Sequence, residues 1–343
     1  MQIGRRRERT RLDKKNISAF SAFIRVLFLN CRVARIEIGE NIGVIGMDRL
    51  PSVCDYEGSD YQSRFWDEGG RDYEDRVERV ALRRLMPPTG KTLIDIGAGF
   101  GRLADEYKGY DRVVLFDYSR TLLREAQARL GDDPRFIYVA GNWYQMPFVN
   151  GLFETMVQIR TLHHAADVPA VFRQLFRIAR PHATYILEFA SKHHLKSIMR
   201  YWTKKQAWSP FSPEPEEFVE LNYDFHPRWI REQLAEVGFV PGRTLTVSHL
   251  RVGFLKRTLP VQALVTVDSL AQLTGNWWQL TPSVFVSNRH LSVGETAEPG
   301  LFFACPVCQT PLGEPQNAHL VCPACSRRWR FEDGLYDFKE PNP

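Results

Sequence analysis

Three glycines alternate at Gly97, Gly99 and Gly101, in the stretch LIDIGAGFGRL that runs from Leu93 to Leu103 and carries an acid at Asp95. A glycine turn after an apolar run leaves the backbone bare, so a nucleotide-like ligand can approach it closely. The spacing is G-x-G-x-G, one residue tighter than the dinucleotide fingerprint G-x-G-x-x-G. Asp117 stands twenty residues past Gly97, at the tip of the next apolar run, RVVLFD. A carboxylate there can hold both hydroxyls of a ribose.

A second chemistry lies near the C-terminus. Cys305 and Cys308 form one C-x-x-C pair, Cys322 and Cys325 another, with thirteen residues between. Two such knuckles suit tetrahedral thiolate ligation of zinc. The rival is a pair of disulfides, which a reducing cytosol disfavours. His319 can replace a ligand, but four cysteines already fill the site. A closed four-thiolate site leaves no position for water, so the metal is expected to be structural. In a module of about 40 residues it supplies folding energy that a small core cannot. Cys31 and Cys54 are isolated.

These residues need elements to hold them. From residue 91 short apolar strands alternate with helical patterns, which implies an α/β fold with a parallel sheet. KTLIDI, RVVLFD, RFIYVAG, FETMVQI and ATYILEFA read as five strands, and GRLADEY is expected to open the first helix. Residues 191–225 break the rhythm with aromatics and prolines and read as an irregular, substrate-side insertion. HPRWIREQLAEVGF restores a helix, and RTLTVSHLR and PSVFVSNRH read as two last strands. The expected domains are a basic tail at 1–46, a main domain at 47–290, a linker at 291–300 and the cysteine module at 301–343.

Composition sets limits. The chain has 343 residues, 44% hydrophobic and 25% charged, the balance of a soluble globular protein. The net charge of +5 is misleading: residues 1–46 hold ten Lys or Arg against four Asp or Glu, and the other 297 residues carry −1. A body of that charge is no nucleic-acid footprint. The tail resembles a signal peptide superficially, or a basic membrane-surface helix; the preferred expectation is that Met47 is the true start. No apolar run reaches the length of a membrane span, since Arg25 interrupts ISAFSAFIRVLFLN. A cytoplasmic protein is expected.

Residues 60–290 resemble the class I S-adenosylmethionine-dependent methyltransferases, in particular the quinone-biosynthesis group. The likeness rests on LIDIGAGFG, VVLFDYS, VAGNWYQMPF, MVQIRTLHH, IARPHATYILEF and HPRWIREQLAEVGF in matching order. It implies a doubly wound, seven-stranded, mostly parallel Rossmann-like sheet, with residues 47–90 covering the cofactor. It places Asp95 near the amino-acid end of S-adenosylmethionine and Gly97, Gly99 and Gly101 beneath it. Asp117 takes the ribose hydroxyls, Tyr118 flanks the adenine, and Arg160 lies under the methionine part. Asn142 stands where the family commonly has Asp facing the adenine amine; its carbonyl still accepts that bond. Trp143 either stacks on the purine or is core. Tyr61, Arg64, Phe65 and Tyr73 are candidates for the cover. One of His163 and His164 serves the pocket wall, and His164 is the candidate catalytic residue. The cysteine module resembles small zinc ribbons attached to, or partnered with, methyltransferases of translation components.

Two acceptors follow from the resemblance. One is a small or lipid-like molecule, suited to the aromatic insertion. The other is RNA or protein, docked through the ribbon, where Arg327, Arg328 and Arg330 surround Trp329. A non-catalytic assembly partner is a third class, against which the intact glycine loop and Asp117 argue.

Overall fold

The computed structural model describes residues 50–57, 71–291 and 294–342. The tail at 1–46, and Tyr61, Arg64 and Phe65, lie outside the described residues. Among the described residues, ten strands form one sheet. These are β1 (Gly90–Ile96), β2 (Tyr110–Asp117), β3 (Phe136–Ala140), β4 (Phe153–Gln158), β5 (Ala179–Ala190), β8 (Phe239–Val247), β9 (Ser283–His290), β10 (His319–Val321), β11 (Arg328–Glu332) and β12 (Leu335–Asn342). A separate hairpin pairs β6 (Glu216–Val219) with β7 (Asn222–Asp224).

The sheet order is β10-β11-β12-β3-β2-β1-β4-β5-β9-β8. The strands from β1 to β5 run parallel, and β9 runs antiparallel between β5 and β8. β5 and β8 therefore end at the same edge as β1, β2 and β4. That edge, at the carboxyl ends of the parallel strands, is where such sheets bind ligands.

Alternation along the strands builds two cores. Leu93, Val113 and Leu115 face one side, under helices α1 (Asp72–Leu85), α2 (Arg120–Leu130) and α7 (Val261–Ala271). Ile94, Ile96, Val114 and Phe116 face the other, with helices α3 (Val168–Ile178) and α5 (Pro227–Glu236) and the C-terminal module. Ser119 and Asp167 cap α2 and α3 by accepting the amides of Leu122 and Ala170.

Two expectations are corrected. The helix after the glycine loop does not form; residues Ala104–Glu106 make a single 3-10 turn. The carbonyls a helix would use are taken by arginines from neighbouring helices: Arg79 donates to Arg102, and Arg129 to Phe100 and Gly101. The seven strands expected of the main domain are all present, and β12 pairs in parallel with β3, so the cysteine module extends the same sheet to ten. Residues 191–225 are not irregular throughout, since they hold helix α4 (Leu195–Trp202) and the β6–β7 hairpin. Trp329 is buried, 1% exposed.

Candidate cofactor and metal sites

A cavity opens at the carboxyl edge of β1, β2 and β4. The glycine loop is its floor. Gly97 has φ +72°, and a Cβ there would fall 2.1 Å from Cγ2 of Thr161, so the position demands glycine. Gly99 donates its N–H to Oδ2 of Asp117 at 2.7 Å, and Ser119 donates to Oδ1 at 2.9 Å. The carboxylate is thus clamped at the tip of β2. Burial pushes it above the usual carboxylate range, against the pull of those amides. An ionised carboxylate keeps lone pairs for further donors after two bonds.

Residues 50–57 roof the cavity through Val53, Cys54 and Tyr56. Glu57 accepts the amides of Arg120 and Thr121 at 2.9 and 3.0 Å, fixing the roof to the start of α2. Lys339 of β12 reaches Asp55 and Glu57, each at 3.6 Å, and lies 3.9 Å from the ring centre of Tyr118. On the opposite flank the Tyr56 hydroxyl is 3.0 Å from Nε2 of His164, while Nδ1 faces the Leu221 carbonyl at 2.9 Å. A carbonyl only accepts, so Nδ1 carries the proton and Tyr56 donates to Nε2. Burial holds His164 below the usual imidazole range, which keeps it neutral.

One side of the cavity is basic. Arg102 and Arg160 both line it, and buried Glu78 joins them: it accepts from Arg102 at 2.9 Å and from Arg160 at 2.6 Å. Arg160 sits at φ +61°, a left-handed conformation costly for a side-chain-bearing residue. Its amide is held there by Glu188 at 2.8 Å.

The cavity brings together Gly97, Gly99, Asp117, Tyr118, Trp143, Arg160 and His164. Gly101 instead packs beneath it on Leu115 and Ala126, and Asn142 accepts the Tyr144 amide at 2.9 Å as a local cap. Tyr73 belongs to α1, where its hydroxyl donates to Asp268 at 2.6 Å. Arg102, Tyr56 and Thr161 line the cavity and were not singled out from sequence. Arg102 alone had a signal, since it directly follows the glycine loop.

Asp95 also lies off the cavity. It accepts the Tyr107 hydroxyl at 2.8 Å inside the core. Burial raises its carboxyl to about 7, opposed by Tyr107 and Arg102 and helped by Asp117. The unfolded chain releases that proton near pH 4, so the folded state binds the extra proton between about pH 4 and 7 and loses stability as pH rises through that window. Asp95→Asn keeps an acceptor for Tyr107 and removes the titration. In urea melts from pH 5 to 8 it should gain on the parent by about 1.4 kcal/mol per unit up to pH 7. Parallel stability curves would refute this.

The four cysteine sulfurs converge within 4.8 Å of one another. Three separations are 3.6 Å (Cys305–Cys325), 3.4 Å (Cys308–Cys322) and 3.6 Å (Cys308–Cys325). These exceed a disulfide bond, about 2.05 Å. They approach the sulfur–sulfur edge of about 3.8 Å that a tetrahedron of 2.3 Å zinc–sulfur bonds requires.

Residues 94–187 match the family model described as a methyltransferase domain. A demethylmenaquinone methyltransferase of a Roseiflexus species is 32% identical over 161 residues, 44% of this chain and 66% of that protein. A 24-methylenesterol C-methyltransferase of Arabidopsis thaliana is 23% identical over 125 residues, 34% of this chain and 35% of that protein. The chain therefore covers less than two thirds of either relative. Among solved structures, a chain from the complex of the Haloferax volcanii Trm112 methyltransferase activator with a methyltransferase aligns at 16% identity and TM-score 0.48, over 68% of this chain and 96% of that one. An S-adenosylmethionine-dependent methyltransferase from Mesorhizobium loti aligns at 17% identity and TM-score 0.44, over 63% and 99%. Among the described residues no helix is long and apolar enough to cross a membrane. The matched segment runs from β1 to β5, so the centre of the parallel sheet is the part of this chain that resembles a methyltransferase domain.

Proposed function

We propose that the chain transfers a methyl group from S-adenosylmethionine to a small, lipid-like acceptor. The observation that carries the cofactor reading is the Asp117 carboxylate clamped by Gly99 and Ser119 above a glycine floor. The residues fit that ligand: Asp117 takes ribose hydroxyls, Tyr118 and Trp143 flank the base, and Arg102 and Arg160 face the amino-acid carboxylate. Bound S-adenosylmethionine supplies an already activated methyl, so the protein's contribution is chiefly positioning and exclusion of water. An acceptor hydroxyl resting on Tyr56 can pass a proton through that phenol to Nε2 of His164. The four thiolates would hold a structural zinc.

The acceptor class is supported by the relatives, whose names specify quinone and sterol substrates. The test incubates the chain, a cell extract and methyl-labelled S-adenosylmethionine, with Asp117→Ala as the blank. Label should enter the organic phase or remain in small solutes. His164→Ala should lower kcat more than it raises KM, and the parent's acid limb should lie below pH 6.5 because burial holds the imidazolium down. Label released only by nuclease or protease would overturn the acceptor assignment.

A further inference from the structure

The carboxyl edge of the sheet continues past the cofactor cavity, over β5, β9 and β8. There a second cleft, about 820 Å³, opens between α4, the segment after β8 and the segment before β9. The Leu195 amide donates to the Leu280 carbonyl at 3.0 Å and ties two of these walls together.

The surface around this cleft is apolar where water should be. α4 turns Leu195, Met199 and Trp202 outward at helical spacing, 56, 56 and 69% exposed. Trp278 lines the cleft with Leu195 and Met199, and the ring of Trp277 lies against it; they are 56 and 77% exposed. Charge is equally uneven. Residues 194–208 and 248–280 contain seven Lys or Arg and a single acid, Asp268. Asp268 is fully buried and bonded to Tyr73. Arg251 and Lys256 are taken up by Glu74. Lys196, Arg200, Lys204, Lys205 and Arg257 are exposed, and none forms an ion pair among the described residues. The acids of residues 191–225 are confined to 214–224.

We propose that this face docks the protein on an anionic lipid bilayer. Tryptophans and aliphatics interleaved with unpaired cations are the composition of a surface that lies in the membrane interface. A second copy of the chain fits poorly, because a two-fold contact would set these cations against themselves. The proposal goes beyond the methyl-transfer reading and stands or falls separately, since vesicle binding needs no reaction.

The test sediments the full chain with vesicles of phosphatidylcholine alone, or of phosphatidylcholine with about one third phosphatidylglycerol, at low and high salt. The expected result is binding to anionic vesicles at least about tenfold tighter than to neutral ones, and weakened by salt. Lys196→Glu with Arg200→Glu, Lys204→Glu and Lys205→Glu should lower partitioning by on the order of a hundredfold. Trp277→Ser with Trp278→Ser should lower it about tenfold. Thermal melts establish that each variant folds; if the charge variant does not, the salt series and the tryptophan variant decide. Three results would overturn the proposal: equal sedimentation with both vesicle types, no sedimentation at all, or a parent dimer that the tryptophan variant converts to monomer.

Discussion

Asp117→Ala should weaken binding of S-adenosylhomocysteine by at least about a hundredfold, measured by calorimetry. The carboxylate is proposed to accept two ribose hydroxyls, and hydrogen bonds to a charged group contribute about 1.5–3 kcal/mol each. Two of them amount to about 3–6 kcal/mol, a factor between about one hundred and ten thousand. The same substitution also frees the Gly99 and Ser119 amides, which now converge on this side chain. The glycine loop then loses the bond by which Gly99 is anchored to the tip of β2. Stability should change far less than affinity. The carboxylate sits above its usual pKa because burial disfavours its charge, so deleting it also relieves a cost. Asp117→Asn keeps one acceptor oxygen and should fall between the parent and Ala. A Kd for Asp117→Ala within about fivefold of the parent would remove Asp117 from the ribose site.

The parts of the site that sequence made legible are those where chemistry and backbone geometry coincide. Gly97 needs both φ +72° and the absence of a Cβ, so composition and spacing point at it together. Asp117 follows because a strand tip is a fixed place relative to that loop. Adjacent strand residues point to opposite faces, and the Asp95 side chain turns into the core towards Tyr107. Tyr56 and Lys339 carry no local signal. Tyr56 arrives at His164 from 108 residues away in the chain and Lys339 at Tyr118 from 221, through pairing that periodicity does not encode. The missing helix after the glycine loop is similar, because its fate is decided by Arg79 and Arg129, which take its carbonyls. Local propensity sets the menu, and tertiary partners choose from it.

Lys339 leads to the second large effect, on the C-terminal module. Metal removal should both lower the melting temperature and weaken cofactor binding. Metal analysis of the purified chain should return about one zinc per chain, and strong chelation or Cys308→Ser should abolish it. Structural zinc contributes on the order of 10 kcal/mol to the folding of such modules, and without it 301–342 has little to hold it together. The loss should not stay local. β12 pairs with β3 from Leu335–Tyr138 to Asp337–Ala140, and Asp337 holds Arg120 at 2.7 Å. Arg124 donates to the carbonyls of Glu332 and Asp333 at 3.0 and 2.9 Å. Trp329, Phe303 and Phe338 share one core with Phe116 and Phe148, directly below the cavity. Unfolding the module therefore strips the edge of β3 and frees the roof at Asp55 and Glu57. Lys339→Met separates the two consequences. It leaves the thiolates intact but removes the cation over Tyr118, a contact of about 0.5–2 kcal/mol, so affinity should fall about three- to thirtyfold with zinc retained. If the metal-free chain instead melted at the parent temperature and bound cofactor with the parent Kd, the module would be an independent appendage, and the continuous sheet would have no bearing on the site.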